Sequence, residues 1–233
     1  MNSAEQKTAI IVAGGTGKRF GTAIPKQFAL LEGKPVLQHT IERFRRILPS
    51  ENILTVINKD WKAEWVKICL QNNFDPGPLV EGGSTRWESV KNGITALNGL
   101  CGRSIILVHD AARPLVTEKI INDVIESIEN GHDGAIPTIK VSDSLREIDG
   151  TKNKAADRSK FRRVQTPQGF RLSTLREAYK LPFSEEFTDE ATMVQTAGYP
   201  DIFLTEGDKK NIKITESEDL ELAKFYLHLN EES

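Results

Sequence analysis

Short apolar runs alternate with amphipathic stretches along most of the chain. The runs at 8–12, 53–57, 105–108 and 135–139 predict buried strands, because each is rich in branched aliphatic residues and ends at a glycine or a polar residue. Between the strands, apolar residues recur at helical spacing. One such helix is predicted over 35–48, where Pro35 suits the first helical turn.

Three threonines predict helix starts. Thr117 is expected to cap a helix whose apolar face is rich in isoleucine. Thr174 and Thr215 each begin a Thr-x-x-Glu sequence, which matches the capping box. The helix predicted after Thr215 closes the chain.

Strands that alternate with helices of this length predict parallel βαβ units with helices on both faces of one sheet. We therefore expect an α/β fold with a Rossmann-like, mostly parallel sheet. No linker or internal repeat divides the sequence, so residues 1–233 are expected to form a single domain. Ligands of such sheets bind at the carboxyl ends of the strands, which directs attention to the residues that follow each strand.

The segment 140–163 departs from this alternation. It is polar and basic, and its Asp149-Gly150 dipeptide suits a tight hairpin turn. We predict a β-arm inserted into the domain over 140–163. A lone hairpin is only marginally stable in water, so the arm is expected to pack against another protein surface. A second subunit is the obvious candidate. A disordered loop is the alternative interpretation.

Composition restricts the classes of partner. Charged residues make up 27% of the chain and the net charge is −2, which gives no general attraction to nucleic acid or to acidic membranes. Neither a signal peptide nor a membrane span is predicted. Cys69 and Cys101 lie far apart and in no metal-ligand spacing, so two reduced thiols in a cytoplasmic protein are expected rather than a disulfide.

The first predicted strand leads into a glycine-rich loop, Ala-Gly-Gly-Thr-Gly-Lys-Arg at 13–19. Glycines let the backbone approach phosphate oxygens closely, with amide hydrogens directed at the anion. The loop lacks a glycine that the P-loop requires, and Phe20 stands where the dinucleotide fingerprint has its third glycine. A tight turn packed under a helix explains such a loop equally well.

Two cations bracket this loop and favour a phosphate site. A triphosphate that is attacked at its α-phosphorus needs positive charge near its non-bridging oxygens and near the leaving pyrophosphate. Arg19 and Lys26 are placed to supply that charge. The sequence therefore predicts an enzyme that binds a nucleoside triphosphate and transfers its nucleotidyl group.

A second group of polar residues begins at His109, directly after the apolar run 105–108. A carboxylate at the end of a buried strand is costly unless it is paired or coordinates a metal. Mg²⁺ prefers hard oxygen ligands that it shares with substrate phosphates, which makes Asp110 a candidate metal ligand. The alternative is an Asp110–Arg113 ion pair that closes the strand. His109 is expected to be structural rather than a base.

These residues belong to a longer ordered set of motifs. Besides the glycine loop, the set comprises Pro25-Lys26-Gln27, Gly82-Gly83 with Arg86 and Ser89, the sequence 109–114, Asp143-Ser144, Asp157-Arg158, Thr166-Pro167-Gln168, Thr188-Asp189-Glu190-Ala191 and Asn211-Ile212-Lys213-Ile214-Thr215. Over nearly the whole chain, the set resembles that of the 2-C-methyl-D-erythritol 4-phosphate cytidylyltransferases of the non-mevalonate isoprenoid pathway. Several motifs are shared with a sister family that uses ribitol 5-phosphate.

The resemblance implies cytidylyl transfer from CTP to 2-C-methyl-D-erythritol 4-phosphate with Mg²⁺, giving 4-diphosphocytidyl-2-C-methyl-D-erythritol and pyrophosphate. The implied catalytic residues are Arg19 and Lys26, and the implied metal ligand is Asp110. The implied nucleotide-binding residues are Ala13, Gly14, Gly15, Gly17, Gly83, Arg86, Ser89, Asp110 and Ala111. The implied phosphosugar-binding residues are Ser144, Arg158 and Lys213, with Arg158 reaching into the partner subunit of a homodimer formed through the arm.

Three other functions are alternatives to the one that the resemblance implies. Gly14, where alanine is common in the family, slightly favours the ribitol 5-phosphate enzymes, whereas Ala111-Ala112 and Asp157-Arg158 favour methylerythritol phosphate. A non-catalytic nucleotide-binding protein on the same fold would be expected to have lost a candidate cation or the carboxylate, and all are present. A dinucleotide-dependent oxidoreductase fits least well, because the glycine fingerprint is incomplete.

Overall fold

The computed structural model describes residues 5–15 and 25–231, and a central eight-stranded sheet dominates it. The strands are, in chain order, β1 (Lys7–Ala13), β2 (Leu30–Leu31), β3 (Lys34–Pro35), β4 (Ile53–Ile57), β5 (Leu79–Glu81), β6 (Ile105–Asp110), β7 (Gly134–Lys140), β8 (Leu145–Asp149), β9 (Lys152–Ala156), β10 (Arg162–Val164), β11 (Gln168–Arg171) and β12 (Ile202–Glu206). The helices are α1 (Val36–Arg45), α2 (Lys62–Gln71), α3 (Arg86–Ala96), α4 (Glu118–Glu129), α5 (Leu172–Ala178), α6 (Glu190–Thr196) and α7 (Ser217–Glu231).

The sheet is mostly parallel, as the sequence predicts. Strands β5, β4, β1 and β6 are parallel neighbours in that order. Strand β11 then runs antiparallel between β6 and β7, β10 pairs antiparallel with the far end of β7, and β12 pairs parallel with β7. The register places Val12 opposite both Val56 and Asp110, so the carboxyl ends of β1, β4 and β6 meet at one edge.

Helices cover both faces of the sheet, which also confirms the predicted architecture. Alternate residues of β1 point to opposite faces, so Ile11 joins one core while Ile10 joins the other. The first core packs α1, α2 and α4 against the sheet, and the second packs α3, α5 and α6. Within the described parts of the chain, no helix has the length and apolar character needed to cross a membrane.

Two of the predicted helix starts need correction. Thr117 caps α4 as predicted, since its side chain accepts a hydrogen bond from the amide of Ile120. Thr174 instead lies inside α5, because β11 runs directly into that helix at Leu172. Near Thr215 the helix begins at Ser217, one residue later than a cap at Thr215 predicts. Asp219 accepts the hydrogen bond of the Thr215 amide that a capping box would give to Glu218, and it also accepts from the Thr215 hydroxyl.

The segment predicted as an arm contains a β-hairpin. Strands β8 and β9 pair from Leu145 opposite Ala156 to Asp149 opposite Lys152. Gly150 occupies the first position of the two-residue turn with a φ of +58°, where hairpin turns need a positive φ. Among the described residues, β8 and β9 pair only with each other.

The two cysteines are separate free thiols, as predicted. Cys69 is buried in α2, and Cys101 is half-buried. Burial raises the pKa of the Cys69 thiol to about 12, so this side chain behaves as a neutral core residue.

Candidate active site at the carboxyl edge of the sheet

An open cleft of about 210 Å³ lies where β1 and β6 end, at the edge that the fold class predicts for ligands. Its lining comprises Val12, Ala13, Gly14, Gly15, Lys26, Gln27, Ser84, Thr85, Arg86, Asp110, Ala111, Ala112 and Lys213. Residues from five distant parts of the sequence therefore meet in one place. Of the predicted site residues, Gly17 and Arg19 lie outside the described part of the chain.

The glycine loop is braced by a side chain that sequence reasoning did not single out. Gln27 is buried, and its Nε2 donates hydrogen bonds to the carbonyl oxygens of Ala13, at 3.0 Å, and Gly15, at 3.1 Å. Because Gln27 directly follows Lys26, the same contacts hold the lysine backbone beside the loop. The signal was present in the Pro25-Lys26-Gln27 motif, but an amide side chain gives no indication of its partners.

Ser89 lies behind the loop and does not line the cleft. Its Oγ donates to the carbonyl oxygen of Thr85 at 2.8 Å and accepts from the amide of Gly83 at 3.1 Å. A Cβ at Gly14 would lie 2.7 Å from the same Oγ, so the loop approaches Ser89 as closely as a glycine allows. Ser89 therefore contacts both Gly83 and Gly14 and supports the start of the glycine loop.

Asp110 ends β6 and is surrounded by cations. Its Oδ2 lies 2.9 Å from Nζ of Lys213 and 3.5 Å from Nε of Arg113, and its Oδ1 lies 3.6 Å from Nε of Arg86. Burial alone would raise the pKa of this carboxyl, but the three positive charges outweigh it and hold the pKa well below its usual range. Asp110 is therefore a stable anion in the wall of the cleft.

The Asp110–Arg113 ion pair, the alternative to a metal ligand, is only one of the contacts of this carboxylate. The contact with Arg113 exists, but Lys213 approaches more closely and comes from far along the chain. Arg113 also donates to the carbonyl oxygen of Asn211 at 2.8 Å. Its guanidinium therefore ties the end of β6 to the loop that bears Lys213.

Buried hydrogen bonds place Asp110 and Lys213 together. The amide of Asp110 donates to Oγ1 of Thr166 at 3.1 Å, and Nδ2 of Asn211 donates to the carbonyl oxygen of Thr166 at 3.0 Å. The amide of Ile214 donates to the carbonyl oxygen of Ala112 at 2.8 Å. Thr166 and Asn211 both belong to motifs of the ordered set, and their positions here give those motifs a physical role.

His109 is structural, as expected. Its Nε2 lies 3.1 Å from the carbonyl oxygen of Arg113, and its Nδ1 lies 3.0 Å from Oγ1 of Thr166. These partners assign the neutral tautomer, in which Nε2–H donates to the carbonyl and the threonine hydroxyl donates to Nδ1. Burial lowers the pKa of His109 to about 4. Both ring nitrogens are engaged inside the protein, so the imidazole is not available as a base for a ligand.

Arg86, a predicted nucleotide-binding residue, lines the cleft but is already paired. Its Nη1 and Nη2 lie 2.5 and 2.8 Å from the two carboxylate oxygens of Glu190. Burial opposes the charge of the guanidinium, but Glu190 and Asp110 outweigh it and raise the pKa of Arg86. Glu190 was visible in the sequence only as a member of the Thr188-Asp189-Glu190-Ala191 motif, with nothing to indicate its partner.

The predicted phosphosugar residues are divided between two places. Lys213 lines the cleft, whereas Ser144 and Arg158 are exposed on the arm and are not among the residues of that lining. Arg158 donates a hydrogen bond to the carbonyl oxygen of Ser142, which holds it against the base of the hairpin. One chain alone therefore does not bring the three together in the cleft.

The cleft contains few metal-ligating side chains. Across 5–15 and 25–231, no group of three or more His, Cys, Asp or Glu side chains is arranged to hold a metal ion. Asp110 is the carboxylate that the cleft lining provides. Any metal bound there would have to take its remaining ligands from substrate and water.

Comparison with known proteins matches the chain along almost its full length. Residues 7–229 match the sequence model of the family described as "IspD: 2-C-methyl-D-erythritol 4-phosphate cytidylyltransferase". The chain is 42% identical to the 2-C-methyl-D-erythritol 4-phosphate cytidylyltransferase of Azobacteroides pseudotrichonymphae, over 94% of this chain and 97% of that protein. It is 39% identical to the enzyme of the same name from Bacteroides thetaiotaomicron, over 95% and 100% of the two chains.

Solved structures agree with these matches. The crystal structure of the 2-C-methyl-D-erythritol 4-phosphate cytidylyltransferase of Francisella tularensis superposes with a TM-score of 0.78. It is 31% identical in sequence to this chain, and the alignment covers 95% of this chain and 99% of that one. The similarity therefore extends over the sheet, the cleft and the arm together.

Proposed function

Because the chain belongs to the 2-C-methyl-D-erythritol 4-phosphate cytidylyltransferase family, we propose that it transfers the cytidylyl group of CTP to 2-C-methyl-D-erythritol 4-phosphate. The products are 4-diphosphocytidyl-2-C-methyl-D-erythritol and pyrophosphate. The observation that supports this function best is the Asp110–Lys213 pair, which lies in the cleft beside the glycine loop. Ribitol 5-phosphate is the less favoured acceptor.

The reaction joins two anions. An oxygen of the sugar phosphate attacks the α-phosphorus of CTP, a new P–O bond forms, and the bond to the β-phosphate breaks as pyrophosphate leaves. A phosphate monoester is already ionised at neutral pH, so the nucleophile needs no general base. This agrees with the cleft, where His109 is neutral and fully hydrogen-bonded. The protein's task is to overcome repulsion and to align the reactants.

Cations of the cleft are suited to that task. We assign to Lys26, in the cleft lining, the neutralisation of charge that develops on the α-phosphate. Arg19 is proposed for the same role, although it lies outside the described residues. Lys213 is proposed to bind the phosphate of the sugar, since its ammonium group is half-exposed at the cleft wall.

The nucleotide is proposed to lie on the glycine loop. Ala13, Gly14 and Gly15 line the cleft, and Gln27 donates hydrogen bonds to the carbonyl oxygens of Ala13 and Gly15. Ala111 lines the cleft next to them, since its amide donates to the carbonyl oxygen of Val12 at 3.1 Å. Gly83 and Ser89 are proposed to act from behind by holding this surface in place, and Gly17 is assigned to the loop from the resemblance alone.

Mg²⁺ is the proposed cofactor, and Asp110 is its proposed protein ligand. The carboxylate is anionic and lines the cleft, and its Oδ1 lies 3.6 Å from Nε of Arg86, beyond hydrogen-bond distance. One carboxylate combined with substrate phosphates and water is a usual Mg²⁺ environment. When bound, the metal would withdraw charge from the phosphate oxygens. The residues present therefore fit the ion.

An assay of the purified protein tests the function directly. With Mg²⁺ and CTP, 2-C-methyl-D-erythritol 4-phosphate should support pyrophosphate release, and ribitol 5-phosphate should not. Asp110→Asn should abolish most of the activity, whereas Asp123→Asn, a change on α4 outside the cleft lining, should not. Activity with ribitol 5-phosphate alone would assign the protein to the sister activity.

The arm is proposed to dimerise and to complete the site of the partner. Its hairpin exposes Ile148, which is 68% accessible, and its strands have no other neighbour among the described residues. Ser144 and Arg158 are proposed to reach the sugar phosphate of the partner subunit. Mixing an Arg158→Ala protein with a Lys213→Ala protein should restore part of the lost activity. Two variants that stay inactive on mixing would indicate a site complete within one chain.

Two coarser properties complete the proposal. The continuous sheet supports a single nucleotidyltransferase domain over 1–233, with the arm at 140–163 as an insertion within it. A cytoplasmic location is proposed from the free thiols Cys69 and Cys101, and fractionation of the producing cells with an antibody tests it.

A further inference from the structure

The ion pair of Arg86 and Glu190 joins two helix starts beside the cleft, with Glu190 buried and the Arg86 side chain 33% exposed. Arg86 is the first residue of α3, and Glu190 is the first residue of α6. Glu190 is 1% exposed, and both of its oxygens accept from the guanidinium in a bidentate contact. Such a contact fixes orientation as well as charge, because two parallel hydrogen bonds prevent rotation of the guanidinium.

This pairing decides which atoms of Arg86 face the cleft. Both terminal nitrogens are directed at Glu190, which leaves Nε toward Asp110, at 3.6 Å from Oδ1. The hydroxyl of Tyr179 donates to Oε1 of Glu190 at 3.2 Å and fixes the carboxylate from its other side. A continuous polar chain therefore runs from Tyr179 through the ion pair to Asp110.

Turning the terminal nitrogens of Arg86 toward the triphosphate would break this chain. The bidentate contact with Glu190 would be lost, and a carboxylate buried without its partner is strongly disfavoured. Resting on the function proposed above, we propose that Glu190 is a positioning residue for the transfer reaction. It holds Arg86 against Asp110 and away from the phosphates.

The contact between Glu190 and Arg86 would serve the reaction by fixing the orientation of Asp110. Its two oxygens are divided between Arg86 on one side and Lys213 on the other, which fixes the plane of the carboxylate. A group that must face the reacting phosphates loses much of its effect when it is displaced by about 1 Å. Additional attraction of Arg86 to the bound triphosphate would strengthen ground-state binding without raising kcat.

Glu190→Gln tests this role, because the side chain keeps its shape and loses its charge. We expect kcat to fall by roughly ten- to a hundredfold. The Kd for CTP, measured by calorimetry with Mg²⁺ and without the sugar phosphate, should stay equal or become lower, because the released guanidinium can turn to the phosphates. A residue that merely supports the fold would not separate kcat from CTP binding in this direction.

Two further substitutions serve as controls. Glu190→Asp retains the charge on a shorter side chain, so its kcat should lie between those of the wild type and Glu190→Gln. Glu129→Gln removes an exposed partner of Lys7 at the opposite end of the sheet, and it should change neither kcat nor Kd. The pair of substitutions at position 190 thus separates charge from shape.

A neutral double variant keeps the test informative if the single variant does not fold. Arg86→Gln combined with Glu190→Gln leaves no unpaired charge, and its kcat should be reduced as in Glu190→Gln while its Kd for CTP stays near the wild-type value. A folded Glu190→Gln protein with kcat within twofold of the wild type overturns the proposal. A double variant with wild-type kcat, or a loss of CTP affinity equal to the loss of kcat, overturns it as well.

The wild-type assay distinguishes this failure from failure of the proposed function. If the unmodified protein does not use methylerythritol phosphate, the function is wrong. If the unmodified protein uses methylerythritol phosphate but Glu190→Gln or the double variant gives one of the contradicting results, only the role of Glu190 is wrong.

Discussion

Thr166 offers a quantitative test of how the end of β6 is held. The residue is buried, and its hydroxyl accepts from the amide of Asp110 and donates to Nδ1 of His109. Thr166→Val preserves the shape of the side chain but leaves both partners without a hydrogen bond. Each buried unsatisfied group costs about 1–3 kcal/mol, so the free energy of unfolding should fall by roughly 2–4 kcal/mol after partial relaxation.

Thermal and urea unfolding measure this loss. For a chain of this size, each kcal/mol lowers Tm by roughly 2–4 °C, which predicts a decrease of about 4–16 °C. Thr166→Ser retains the hydroxyl and should lose only about 1 kcal/mol for the missing methyl group. Thr95→Val, an exposed change on α3 that removes a helical back-bond, should stay within about 0.5 kcal/mol of the wild type.

The activity of Thr166→Val adds a second readout. Because the lost hydrogen bond is made by the backbone of Asp110, the carboxylate should shift and kcat should fall by more than tenfold at temperatures where the variant is folded. A Thr166→Val protein as stable as Thr95→Val, with unchanged kcat, would refute the view that this hydroxyl organises the strand end.

Three further predictions concern other parts of the molecule. Lys26→Ala should lower kcat by roughly a hundredfold while weakening CTP binding far less, as compared by steady-state kinetics and calorimetry; equal losses would contradict a transition-state role. Because His109 stays neutral when folded, with a pKa of about 4, the unfolded chain alone takes up a proton below about pH 6.5. The free energy of unfolding should therefore fall by roughly 3 kcal/mol between pH 7 and pH 4 from this residue, and a His109→Gln variant should show a shallower fall in urea titrations. Gly150→Ala, at a φ of +58°, should cost about 1 kcal/mol in the arm, and proteolysis of the hairpin should become faster; an unchanged cleavage rate would show that the turn tolerates a side chain.

The pattern of apolar residues in the sequence was sufficient to predict the central strands β1, β4, β6 and β7. β1, β4, β6 and β7 are continuous apolar runs, so their burial is visible residue by residue. β11 and β12 escaped prediction because Gln168–Arg171 has few apolar residues and Ile202–Glu206 lies at the sheet edge with several exposed side chains. Their positions depend on pairing with β7, which no local pattern contains.

The candidate site likewise contains residues that the sequence predicts and residues that only the fold reveals. Asp110, Lys26 and the glycine loop were identified because the chemistry of phosphate transfer demands a carboxylate, a cation and free backbone at strand ends. Gln27 and Glu190 were not, since their roles arise from contacts with residues distant in sequence. The resemblance marked both as motif members, and only the fold gives each a partner.

The arm joins the sheet through two strands that are hydrogen-bonded neighbours, β7 and β10. Arg162 pairs with Lys140, so β7 and β10 already form two sides of a hairpin, and the arm extends outward between them. Excising 141–161 and joining the ends with a short turn would keep the ladder in register. The arm is therefore a separable module for protein engineering: it can be removed or grafted without breaking the β7–β10 ladder, but its removal takes away Ser144 and Arg158.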